Sequence, residues 1–346
     1  MKERILKYLK YLGPVGVPLL YVVCLAFFAC LTFPYRRLRE HIVGTFNAAQ
    51  RASGGMQELQ IDDLSGYWLS GVRMSGVALL TASAEPGKPP TKIEIDDATA
   101  RYSLLPMLIG NSDMNFDAYA FGGEASGSYD ISGKDRSVDV TLDSIDVGKL
   151  QPLVDMLGVP VGGKLAGTVR LTMPEGKASK GTGSVSLEIQ DAWVGDGKAK
   201  IKGALALPKI EVGTLTFAAE AKDGVLKITK LVAGGKDLEV QGDGRITMRE
   251  LAPDSLLDLQ IRFRINDAYR AKSDITKSLF GAPGSNAPAL FELADAKIKQ
   301  SKRPDGFYGW SFRGPLSRPE IFPAGMNGAA PAPPLMGGFP APKVGP

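Results

Sequence analysis

Thiols and imidazoles are almost missing from this chain of 346 residues, which has two cysteines and one histidine. Both cysteines, Cys24 and Cys30, lie in an apolar N-terminal run, so the rest of the chain has no thiol to attack a substrate, bind a metal or close a disulfide. That composition permits an oxidising compartment without requiring one. The single histidine, His41, has no second metal-ligating partner near it in sequence and reads as a surface residue. Also missing are a Gly-x-Ser-x-Gly elbow and a Gly-Lys-Ser/Thr phosphate loop. Hydrolases and transferases need a nucleophile with a base, or a metal with several ligands, and neither set is present. The expectation is therefore that the protein is not an enzyme and has no catalytic, cofactor-binding or metal-binding residues. The pairs Asp62-Asp63 and Asp96-Asp97 do not change this, because adjacent strand residues point to opposite faces.

A basic surplus is missing as well. Of 41 basic and 37 acidic residues, eight and two fall within residues 1–51, which leaves 33 against 35 for the remainder. Nucleic-acid binding needs a concentrated basic surface to displace counterions from phosphates, so that class is excluded.

What the chain does have is one long uncharged stretch. Gly13 to Phe33 carries no charge, and 21 helical residues at about 1.5 Å each span about 30 Å, the thickness of a bilayer's hydrocarbon core. The expected anchor includes Pro14, Tyr21, Phe27, Phe28 and Phe33, with the prolines early in the run and the aromatic rings towards the interfaces. A cleaved signal peptide would have a shorter apolar core, of roughly 7–15 residues. A lipoprotein signal ending at Cys30 would have a smaller or aliphatic residue where bulky Phe stands. Lys2, Arg4, Lys7 and Lys10 slightly outweigh Arg36, Arg37 and Arg39, which leans towards a cytoplasmic N-terminus. Residues 34–53 then read as an amphipathic linking helix, with Leu38, Ile42, Val43 and Phe46 at helical spacing.

From residue 54 to 323 the periodicity becomes two. Val138/Val140/Leu142, Val169/Leu171/Met173, Val185/Leu187/Ile189, Ile201/Gly203/Leu205/Leu207, Leu215/Phe217, Leu226/Ile228, Leu238/Val240, Ile246/Met248 and Leu259/Ile261/Phe263/Ile265 each alternate with more polar residues. Gly195-Asp196-Gly197, Asp223-Gly224, Gly234-Gly235-Lys236-Asp237 and Gly242-Asp243-Gly244 are candidate tight turns, and the 41 glycines exceed the usual share of about 7%. Short helices are expected near 150–157 and 272–280, and a turn near 104–109. The fold class that results is mainly β: an N-terminal transmembrane helix followed by an elongated, curled antiparallel β-sheet or sandwich domain. Val185, Leu187, Ile189, Phe217, Ile261 and Phe263 are the candidate residues of an apolar groove or core. Residues 324–346 are almost entirely Pro, Gly and Ala with a few apolar residues and read as a disordered tail.

Four stretches carry a family resemblance. They are the apolar run ending Phe33-Pro34-Tyr35 with the basic helix after it; Leu59 to Leu64 with Gly66, Trp68 and Gly71 to Val77; Ala98 to Ile109 with Phe121-Gly122-Gly123-Glu124-Ala125; and Asp305 to Trp310 with Phe312-Arg313-Gly314-Pro315-Leu316 and Pro319. Their order over residues 14–323 resembles protein N of the bacterial type II secretion system and, more distantly, the AsmA-like envelope proteins. The first resemblance implies an inner-membrane accessory subunit with its C-terminal domain in the periplasm, where it contacts other type II secretion subunits. The second implies a lipid-handling protein whose apolar groove takes phospholipid acyl chains. Neither brings catalytic residues.

Overall fold

The computed structural model describes residues 16–18, 20–21, 24–25, 28, 32–52, 55, 57–68, 70–81, 91–103, 110–198, 200–201, 205–251, 254–285 and 289–325. The protein is mainly β, with fourteen strands in one antiparallel sheet whose neighbours follow chain order. It divides into two compact units, Met1–Leu153 and Val154–Pro346.

The first unit holds helix α1 (Tyr35–Ala52) and strands β1 (Gln57–Tyr67), β2 (Gly71–Thr81), β3 (Thr91–Tyr102), β4 (Ser112–Ala120), β5 (Gly123–Ser132) and β6 (Asp135–Asp146). Register keeps residue classes in rows. Leu64, Met74, Ala98, Ala118, Ala125 and Leu142 are Cα partners across six strands, and so are Gly66, Val72, Ala100, Phe116, Gly127 and Val140. The row between them is Ser65, Arg73, Thr99, Asp117, Ser126 and Thr141, polar throughout. Because side chains alternate across a sheet, these rows define an apolar and a polar face. The β4–β5 turn is made by Phe121 and Gly122, both at positive φ, as a two-residue hairpin of matching twist requires.

A short 3₁₀ turn (Val147–Lys149) and helix α2 (Gln151–Leu157) follow, as the sequence predicts. The second unit then has β7 (Val161–Met173), β8 (Thr182–Val194), β9 (Lys200–Ile201), β10 (Leu205–Ala206), β11 (Ile210–Lys222), β12 (Val225–Gly234), β13 (Leu238–Thr247) and β14 (Leu256–Ile265). Helices α3 (Asp267–Arg270), α4 (Asp274–Phe280), α5 (Leu290–Ala294) and α6 (Ala296–Ser301) precede the closing pair β15 (Tyr308–Pro315) and β16 (Glu320–Pro323). Helix α4 begins with a capping box between Ser273 and Thr276, which satisfies amide groups that the first helical turn leaves open.

Other expectations meet the structure less simply. Among the described residues no helix is long and apolar enough to cross a membrane. Of the expected span 13–33, the described positions 16–18, 20–21, 24–25 and 28 are helical. Pro14, Phe27, residues 104–109 and 326–346 lie outside the described residues, so the expectations placed on them have no structural counterpart. Residues 201–207 are not one strand: Leu205 pairs back on Ile201 and Ala206 on Lys200 in a separate two-stranded sheet. Gly242-Asp243-Gly244 is not a turn but the middle of β13. A Cβ at Gly242 would stand 2.4 Å from Leu231 Cδ2, so this glycine serves a close approach between strands. No second large sheet stacks on the first among the described residues, so the sandwich alternative is not seen.

Candidate functional site

The six candidate groove or core residues come together on one face of the second unit. Val185, Leu187 and Ile189 project from β8 with the strand period of two, and Phe217 on β11 is the Cα partner of Leu187. Ile261 and Phe263 project from β14, paired with Gly242 and Val240. Val185 is 8% exposed and forms a buried cluster with Ala219, Ile228 and Leu231. Leu187, Phe217 and Ile261 pack against that cluster half-buried, whereas Ile189 and Phe263 pack against a second cluster.

Three rows show how this face is built. Leu165, Ile189, Leu215, Ala233, Val240, Phe263 and Tyr308 are successive partners from β7 to β15. Towards the other strand ends lies a shorter row of Gly167, Leu187, Phe217 and Leu231. Further on, Leu171, Gly183, Ala221, Leu226, Ile246, Leu257 and Gly314 form a third row across the same strands. No residue in any of them carries a charge. On the reverse face Glu239 and Arg264 form an ion pair at 2.6 Å, and Arg262 donates to Gln241.

The first row is covered by the protein itself. Tyr269, Leu279, Phe280 and Phe291 from helices α3 to α5 are buried with Ala233, Tyr308 and the half-buried Ile189, Leu215, Val240 and Phe263. The covering is aromatic: the Phe263 and Tyr308 rings stack at 5.4 Å, Phe291 meets Tyr308 edge-on at 5.7 Å, and Phe280 meets Phe291 at 5.5 Å. A buried carboxylate fastens it. Glu292, 6% exposed, accepts from Tyr308 Oη at 2.8 Å and from Lys302 Nζ at 2.6 Å. Burial, reinforced by Glu292, pushes the Tyr308 phenol far above its ordinary value, and burial pushes Tyr269 up to about 12. Sequence reasoning missed Glu292, because a lone Glu in a short helical stretch has no pattern that marks it as buried.

Among the described residues the first unit has no comparable buried cluster. Both buried apolar clusters among the described residues belong to the second unit. Val72, Met74, Phe116, Val140 and Leu142 on its apolar face are only half-buried. Its reverse face carries the row Asp63, Ser75, Asp97, Tyr119, Glu124 and Asp143, where Arg73 holds Asp97 through Nε at 2.8 Å.

Of the anchor residues, Tyr21, Phe28 and Phe33 are exposed, and Val17, Leu20, Tyr21, Leu25 and Phe28 are each between 61% and 72% exposed. His41 is exposed on α1, and among the described residues no group of three or more His, Cys, Asp or Glu side chains is placed to hold a metal. The chain matches no family model, no curated protein and no solved structure.

Proposed function

We propose that this is a non-enzymatic lipid-handling protein of the bacterial envelope, fixed in the inner membrane by residues 13–33, whose periplasmic β body lays phospholipid acyl chains along its apolar face. The observation that carries this reading is the set of uncharged rows crossing consecutive strands: the helices pack on the first, while Leu187, Phe217, Leu226 and Ile261 on the same face stay half-buried. The chemistry of the face selects the occupant. A peptide laid across it would leave its backbone N–H and C=O groups without partners, at a cost of a few kcal/mol for each group desolvated, whereas an acyl chain has no such groups. Each methylene removed from water contributes about 0.8 kcal/mol, so a bound chain needs no polar contact along its length. The exposed apolar helix positions before α1 support the anchor, because a bilayer would cover them.

A second reading is the accessory subunit of the type II secretion system that the sequence resemblance implies. The acidic row Asp63, Asp97, Glu124 and Asp143 favours it, as a charged surface on which another subunit could dock. Deleting the gene separates the two. The lipid reading expects an envelope leaky to detergent and bulky antibiotics with export of folded enzymes intact. Lowered export with a normal permeability barrier would overturn it in favour of the second.

A further inference from the structure

An open sheet has two edge strands, and each presents a row of backbone groups that would accept another strand. Within the first unit β1 pairs with β2 alone. Its outer side is occupied by a helix instead of a strand. The Asn47 side-chain amide of α1 does what a neighbouring strand would do: its Oδ1 accepts from Leu59 N–H at 2.8 Å and its Nδ2 donates to Leu59 C=O at 3.1 Å. About two turns towards the N-terminus, the Arg39 guanidinium donates to the Asp62 carbonyl. Further along, a Cβ at Gly66 would stand 2.6 Å from Tyr35 Oη, so α1 runs beside β1 in the opposite direction.

Two features make this cover displaceable. Helix α1 contains no buried residue, and its apolar side chains Leu38, Val43 and Phe46 are only half-buried. It is held to β1 by side chains that bond backbone groups, Asn47 to Leu59 and Arg39 to Asp62, beside a strand that carries the acidic residues Glu58, Asp62 and Asp63. The same charges define what could replace it. A second copy of β1 would set acidic residues against acidic residues, which disfavours self-pairing, whereas a basic extended segment would supply both the backbone ladder and the opposite charge.

We infer that the outer edge of β1 is a latent strand-addition site for a basic extended segment of a partner protein, and that α1 guards it through Asn47 and Arg39. The guard lies immediately after the apolar run, so a pull on that run would draw α1 off the edge. Strand addition would then use the edge groups at Leu59 and Asp62 that α1 now satisfies.

The test uses the full-length protein in detergent and two labelled octapeptides, one alternating Arg and Val and the other Glu and Val. Asn47→Ala combined with Arg39→Ala should bind the Arg/Val peptide at least tenfold more tightly than the unaltered protein does, with faster hydrogen exchange at the Leu59 amide. Glu58→Lys with Asp63→Lys, both at exposed positions, should reverse the preference towards the Glu/Val peptide. Equal binding by variant and unaltered protein, no preference between peptides, or dimerisation of the unguarded variant would each overturn the inference. If the double variant loses its folded circular dichroism, Asn47→Asp takes its place. It keeps the acceptor for Leu59 N–H, loses the donor to Leu59 C=O, and should give the same rise in Arg/Val binding.

Discussion

Replacing Ile261 with Asp and, separately, Arg262 with Asp places the same side chain at neighbouring positions of β14 that face opposite ways. Ile261 packs against the cluster of Val185, Ala219, Ile228 and Leu231. Removing it forfeits about 1.5–3 kcal/mol of apolar burial, and setting a carboxylate against that surface adds a desolvation penalty, for a total of about 3–5 kcal/mol. Arg262 is exposed and donates through Nε and Nη2 to Gln241 Oε1 at 3.1 and 2.6 Å, with its guanidinium 5.4 Å from the Phe307 ring. Losing these solvent-screened contacts costs about 1 kcal/mol. The two variants should therefore differ by at least about 2 kcal/mol, roughly a thirtyfold difference in the unfolding constant. Urea unfolding followed by tryptophan fluorescence reads this directly, since Trp310 is the Cα partner of Ile261. Equal losses, or a larger loss for Arg262→Asp, would mean that the strand is slipped by one residue and that the apolar face is assigned to the wrong side.

Glu292→Ala should destabilise the helical cover by about 2 kcal/mol because it leaves the buried Tyr308 hydroxyl without its acceptor, and Glu292→Gln should cost less; urea midpoints of the two variants check the order. Alkaline pH should weaken the fold. The Tyr269 phenol is pushed up to about 12 from 10.0, so the folded state holds its proton more tightly than the unfolded chain does. Stability is then full below about pH 10 and falls as pH rises towards 12, and a base titration of the melting temperature that stayed flat across that window would refute it. His41→Ala should leave both the melting temperature and function unchanged, since the ring is exposed and no group of three or more metal-ligating side chains forms among the described residues. The protein should stay in the membrane pellet after carbonate washing; recovery of a soluble form beginning after residue 30 would refute the anchor.

Much of the architecture was legible because one rule governs it: a sheet with one covered or lipid-facing side writes period two into its strands. Val185/Leu187/Ile189 and Ile261/Phe263 read correctly from that rule alone. Asp223-Gly224, both at positive φ, closes the β11–β12 hairpin as expected. The rule fails where the ladder is irregular. The pairing of β12 with both neighbours shifts register, so Ile228 and Leu231 are both buried although they are three apart. It fails also where glycine has two uses, since Gly242 looks like a turn in sequence and serves as a close approach in the sheet. The helical cover was half legible: a short helix was expected near 272–280 and the structure has α4 there, but α5 and α6 are too short to show a period. Whether the face was a closed core or an open groove could not be read from alternation, because both produce the same pattern. In the structure the helices of the second unit pack on one row, and both buried apolar clusters among the described residues belong to that unit.

The most direct test of an acyl-binding face is photocrosslinking from each side of one strand in living cells. A benzophenone amino acid at Phe217 or Leu187, on the apolar face, is compared with the same group at Thr216 or Glu188, which are Cα partners of each other on the reverse face. Irradiation followed by mass spectrometry of the purified protein should give phospholipid adducts at Phe217 and Leu187 and none at Thr216 or Glu188. Adducts that are protein at every position, or lipid adducts equally frequent on both faces, would contradict the account.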